Sequence, residues 1–209
     1  MDGESAVDRL VRAAEDGDAS LVARLLGEGV PVDAPVQGGR GLTALDIAVR
    51  RGHAEVVRVL IGAGADPHQA VHEYGEFTPL TAAASSGRTD VVAALLDAGV
   101  HPDTPSRDGN PLMFAVTSTV ERPEIVDLLL DHGSDIHLLT KGRTPLEWAS
   151  AAGNPQMVQH LLDRGAVPTA KAVRVARTWG NNKYPDTWPR FEKVIDLLRA
   201  AGVDTDTAP

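Results

Sequence analysis

An apolar doublet, two intervening residues and a second apolar doublet recur at nearly constant distance along the chain. The pattern reads Leu21-Val22 with Leu25-Leu26, Val56-Val57 with Leu60-Ile61, and Val91-Val92 with Leu95-Leu96. Ile125-Val126 with Leu129-Leu130 and Met157-Val158 with Leu161-Leu162 continue it. Positions i, i+1, i+4 and i+5 share one face of a helix, so each set predicts a short amphipathic helix with its stripe turned to a core. Gly29, Gly64, Gly99, Gly133 and Gly165 follow these helices at spacings of 35, 35, 34 and 32 residues. A glycine there can end each helix.

A second series precedes the doublets. Thr43-Ala-Leu-Asp46, Thr78-Pro-Leu-Thr81, Asn110-Pro-Leu-Met113 and Thr144-Pro-Leu-Glu147 begin 35, 32 and 34 residues apart. Two periodic series in one register define an internal repeat of two short helices. Thr144 can cap the first helix, Pro145 suits N1 where no N–H is needed, and Glu147 at N3 completes a capping box. Thr43 with Asp46 is a weaker form of that start. Gly17, Gly52, Gly87 and Gly153 mark the turn between the helices. Ala13, Ala48, Ala83, Ala115, Ala149 and Ala176 form one column, where a small side chain lets neighbouring helices approach closely. Ile47, Ala82, Phe114, Trp148 and Val175 precede that column and are expected to fill the space beside it, so Trp148 is read as a packing residue.

The T-P-L-x-x-A start, the glycine turn, the V-V-x-x-L-L helix and the exits Gly64-Ala65-Asp66 and Gly133-Ser134-Asp135 resemble the ankyrin repeat. The resemblance covers about residues 5–204. It implies an all-α, ankyrin-like solenoid of stacked helix-turn-helix repeats with finger loops along one edge. The repeats are expected at 5–42, 43–77, 78–109, 110–143, 144–170 and 171–204, in a single domain spanning 1–209. The family's histidine after T-P-L is replaced by Asp46, Thr81, Met113 and Glu147. From closing glycine to next start there are 14 residues in the first two fingers, 11 in the next two, and 6 between Gly165 and Lys171. The fourth copy exchanges its turn glycine for 117–123, with Pro123 opening the next helix. The sixth reaches Gly180 and then carries an insertion at 181–190. Asp8 and Arg9 at the first start, and Arg199 at an apolar place in the last copy, suit capping repeats whose outer faces meet water.

Composition narrows the functions available. The 209 residues carry 29 acids, 20 bases and no cysteine, for a net charge of −9. A disulfide framework, a thiolate metal site and a cysteine nucleophile are thereby excluded. The charge opposes non-specific nucleic-acid binding, and no apolar run reaches the roughly 18 residues of a membrane span. The opening Met1–Ser5 has no basic and then apolar secretory pattern, so a cytoplasmic protein is expected. Residues 1–35 hold eight acids and three bases, whereas 170–209 hold five and seven. An acidic first end could orient a basic protein.

Three patterns brush against catalytic or metal chemistry. His72-Glu73-Tyr74-Gly75-Glu76 touches the zinc-protease motif, but Glu76 replaces the second histidine and Gly75 breaks the helix it requires. His68, Asp103 and His137 share a repeat column, yet repeats stacked roughly 10 Å apart cannot share one ion bound at about 2 Å. Gly62-Ala-Gly64 and Gly27-Glu-Gly29 follow helices rather than strands, so helix termination explains them. No cofactor, metal or catalytic residue is expected.

Binding is expected on the concave face formed by first helices and fingers, where residues vary without touching the core. The candidate contacts are Arg40, Arg50, Arg51, Glu73, Tyr74, Phe77, Ser85, Ser86, Arg107, Thr117, Ser118, Arg143 and Trp179. Tyr74 and Phe77 are the aromatic anchors of the longest finger. Trp179, Tyr184, Trp188 and Phe191 are four of the eight aromatics, and they form either a lid on the last repeat or a second binding patch. The expected function is a protein–protein interaction module, monomeric when unbound, with no nucleic-acid or membrane partner. A small-molecule site or an enzymatic activity grafted on the solenoid is the alternative.

Overall fold

The computed structural model describes residues 5–36, 41–69, 77–183 and 188–203. Twelve helices and no strand occur among them. The chain divides into two compact units, 1–111 and 112–209. The first holds α1 (Ala6–Asp16), α2 (Ala19–Gly27), α3 (Ala44–Arg51), α4 (Ala54–Gly62), α5 (Pro79–Ser85) and α6 (Thr89–Asp97). The second is built from α7 (Pro111–Thr117, which begins on the last residue of the first unit), α8 (Pro123–Asp131), α9 (Pro145–Ala152), α10 (Pro155–Asp163), α11 (Ala170–Lys183) and α12 (Trp188–Ala200).

Capping sets the helix starts. The Thr43 hydroxyl accepts from the Asp46 amide at 3.3 Å, and the Asp46 carboxylate accepts from the Thr43 amide at 2.9 Å. Thr144 and Glu147 close the same box on α9. Asp46 and Glu147 are almost fully buried, and their carboxylates are accommodated because backbone donors satisfy them. Two residues that replace the family's histidine therefore act as N3 caps. Thr81, the third, is also buried, its hydroxyl 2.9 Å from that of Thr78.

Each unit stacks its pairs through the doublets. In the first, α1 packs on α3 and α3 on α5, while α2 packs on α4 and α4 on α6. Val22, Leu25, Val56, Val57, Leu60, Val91, Val92 and Leu95 are fully buried there. In the second, α9 packs on α11 and α10 on α12, and Ile125, Val126, Leu129, Val158 and Leu161 are buried. Truncating one such leucine to alanine costs roughly 2–5 kcal/mol. The closing glycines carry φ between 86 and 96°, a region open to them because they lack a Cβ.

Four expectations change. The first helix starts at Ala6, capped by Ser5 rather than at Asp8, because the Ser5 hydroxyl accepts from the Asp8 amide. Gly180 is no turn, since α11 continues through it to Lys183, and α12 starts at Trp188 inside the expected insertion. Of the Ala151-Ala152 pair that the repeat register places outward on the first helix, only Ala152 is exposed and Ala151 is buried. Ile47, Ala82, Phe114, Trp148 and Val175 are half-buried rather than core, so that column borders solvent.

Candidate functional site

In the first unit, Leu42, Ile47, Arg50 and Arg51 line a cavity of about 380 Å³. Arg51 forms an ion pair with Glu15 of the preceding copy, which holds it along the stack. The Arg50 carbonyl accepts from the Arg88 guanidinium at 3.2 Å, and Arg88 covers Gly52. His53 repeats the arrangement one copy earlier: its ring covers Gly17, with Nε2 2.9 Å from the Glu15 carbonyl. His53 and Arg88 stand at the N-caps of α4 and α6 yet make no capping bond, because their side chains reach back to the previous turn. Phe77 and Ser85 are half-buried, and Ser86 and Arg107 are exposed.

In the second unit, a finger hairpin meets α9. Thr140 and Arg143 pair in both directions, with N···O distances of 2.9 and 3.1 Å. Lys141 and Gly142 between them have φ of 50 and 75°. Positive φ at both central residues matches the tight hairpin turn whose twist fits paired strands. The Trp148 indole N–H donates to the Thr140 carbonyl at 3.0 Å, and the Arg143 guanidinium lies 4.6 Å from the indole ring centroid. That cation–π contact and the indole bond fix the hairpin on its helix. Lys171 on α11 adds a bond to the Gly142 carbonyl and pairs with Glu147 at 2.9 Å.

A family model described as Ankyrin repeats (3 copies) matches residues 10–106 and 100–172. The chain belongs to the ankyrin-repeat family. Ankyrin-repeat domains are in general protein–protein interaction modules and non-enzymatic binding scaffolds. Among solved structures, the ankyrin repeat domain of Bcl-3, described as a unique member of the IkappaB protein family, is 28% identical. Its TM-score is 0.77, over 98% of this chain and 89% of that one. The human ASB11 ankyrin repeat domain is 24% identical, with a TM-score of 0.74 over 94% of this chain and 85% of that one. No curated protein sequence matches significantly. No helix among the described residues is long and apolar enough to cross a membrane.

Within this ankyrin-repeat chain, Arg50 and Arg51 come together, whereas Arg143 joins Trp148. Arg40, Glu73 and Tyr74 lie outside the described residues. Thr117 and Ser118 are half-buried and bonded locally, Thr117 to the Met113 carbonyl at 2.8 Å and Ser118 to the Val120 amide at 3.2 Å. Trp179 is half-buried in α11. Phe191 is buried over Gly153, and Trp188 packs on Gly180 while donating to Glu192 at 2.6 Å. Phe191 thus packs between the α9–α10 turn and α11, and Trp188 lies on α11; Tyr184 lies outside the described residues. Sequence reading assigned Trp148 to packing, and within the finger stretch 138–143 it singled out Arg143 but not Leu139 or Lys141. The pairing of a finger Arg143 with a tryptophan five residues later was the available signal.

Proposed function

We propose that this ankyrin-repeat chain is a non-enzymatic module that binds a protein partner through the concave face of its first helices and fingers. Family membership supports a binding scaffold, and one observation supports the face: Trp148 on α9 and Arg143 on the hairpin braced against it present an aromatic and a guanidinium side by side. Both types are enriched among binding hot spots. Arg40, Arg50, Arg51, Glu73, Tyr74, Phe77, Ser85, Ser86, Arg107, Thr117, Ser118 and Trp179 complete the proposed face. The same reading places a single domain over 1–209 in the cytoplasm, monomeric until bound, with neither nucleic acid nor membrane as partner.

Affinity capture from the native cell tests it, with chemical cross-linking of whatever co-purifies. Cross-links are expected on finger and first-helix positions. Tyr74→Ala combined with Arg50→Glu should reduce recovery, while Arg58→Glu on the second-helix side should not. Equal recovery by wild type and the Tyr74/Arg50 double variant would show that the face is wrongly assigned.

A further inference from the structure

Charge differs sharply between elements of the second unit, although α12 carries both signs. Finger 136–143, α9 and α11 together contain six bases, and their one acid is Glu147. Glu147 is buried and already engaged by Thr144, Thr169 and Lys171. By contrast, α8 and α10 contain four acids (Glu124, Asp127, Asp131 and Asp163) and no lysine or arginine, and Arg164 just after α10 pairs with two of them, Asp127 and Asp131. In a chain of net charge −9 this concentration of bases stands against the overall trend. Arg143, Arg174 and Arg177 have no carboxylate partner among the described residues.

The basic side also carries an apolar anchor. Leu139 is 65% exposed at the finger, one residue before Thr140. The Thr140 carbonyl, one residue on, and the Arg143 cation hold Trp148 in place. The tight turn at Lys141-Gly142 fixes that arrangement before any partner arrives, which lowers the ordering cost of binding.

We propose that finger 136–143 and the Trp148 side of α9 bind an acidic peptide segment of the partner. One apolar side chain of that segment seats on Leu139 and Trp148, and its carboxylates lie against Lys141 and Arg143. This rests on the proposed interaction face and adds the chemistry of its partner. Opposite charge steers encounter and suppresses wrong partners. A protein segment is favoured over a nucleic acid because the overall charge of −9 repels an extended polyanion, whereas a short peptide meets only the basic side.

The test selects from a randomised phage-displayed peptide library against the full chain, then measures binding of the selected peptides by fluorescence anisotropy. The selected pool should be enriched in Asp and Glu flanking a Leu, Phe or Trp. Its affinity should fall about tenfold or more in the double variant Lys141→Glu, Arg143→Glu. Leu139→Ser should also weaken it, and Glu124→Lys on α8 should leave it unchanged. Circular dichroism melting shows that each variant is folded. A pool without acidic enrichment overturns the proposal, as does unchanged binding by the double variant. Displacement of the peptide by an equal concentration of a single-stranded DNA oligonucleotide overturns it in favour of a general anion site. If neutral or basic peptides are selected and Leu139→Ser weakens them, the acidic chemistry fails while the face stands. If no variant on this side affects any peptide, and partner cross-links fall on second helices, both fail.

Discussion

Gly153 ends α9 with φ of 64°, and the Phe191 ring stands 2.7 Å from the place its Cβ would take. Two penalties therefore fall on Gly153→Ala: the left-handed backbone, about 1–2 kcal/mol, and displacement of a buried ring, about 1–3 kcal/mol. Gly142→Ala carries only the first, because its φ is 75° and its surroundings are open. Denaturant titration should give a clearly larger loss at Gly153; equal losses would mean that the ring moves aside freely. Thr144→Ala removes one half of the capping box and should cost about 1 kcal/mol. The glycine and threonine were legible from repeat register alone. The ring above Gly153 was not, since it comes from a position 38 residues later.

At the scale of elements, the repeats are joined by polar ties as well as by core leucines. Arg164 at the end of α10 reaches Asp127 and Asp131 of α8, each at 2.5 Å, and the His160 ring lies 3.0 Å from Asp127. Hydrogen bonding to Asp131, followed by the charges of both aspartates, raises the Arg164 pKa above its ordinary value, against an opposing effect of burial. A raised cationic pKa stabilises the fold at every pH below the ordinary arginine value, so this tie persists through the neutral range. Arg164→Ala should cost about 1 kcal/mol or less, because Asp131 is largely exposed, and the loss should shrink in high salt. Phe191→Ala should cost more, about 3–5 kcal/mol, since its ring fills the space over Gly153. A loss below about 1 kcal/mol in thermal or urea unfolding would contradict the lid role. The doublets announced α8 and α10 from the sequence. The extension of α11 past Gly180 was hidden, because a glycine reads as a turn until packing makes use of its missing side chain.

For the whole molecule, the repeat register runs from Leu21 to Leu198 with departures at 117–123 and 181–190, and we propose that all copies fold as one domain. Nearest-neighbour stacking then predicts a single cooperative transition, with circular dichroism and tryptophan fluorescence giving the same midpoint. Two separated midpoints would show that the units 1–111 and 112–209 unfold independently. The sequence by itself determined the repeat, the pairing of short helices, the capping starts and the closing glycines. Each of these depends on residues within one turn or one period of one another, so spacing carries the physics. Only the tertiary structure decided that the column containing Trp148 borders solvent, and that the Lys141-Gly142 hairpin is braced on it. It also decided that the bases of finger 136–143 and α11 lie beside α9, away from the acids of α8 and α10. Those outcomes depend on which side of a helix remains open once its neighbours are packed, a property of the stack rather than of any single repeat.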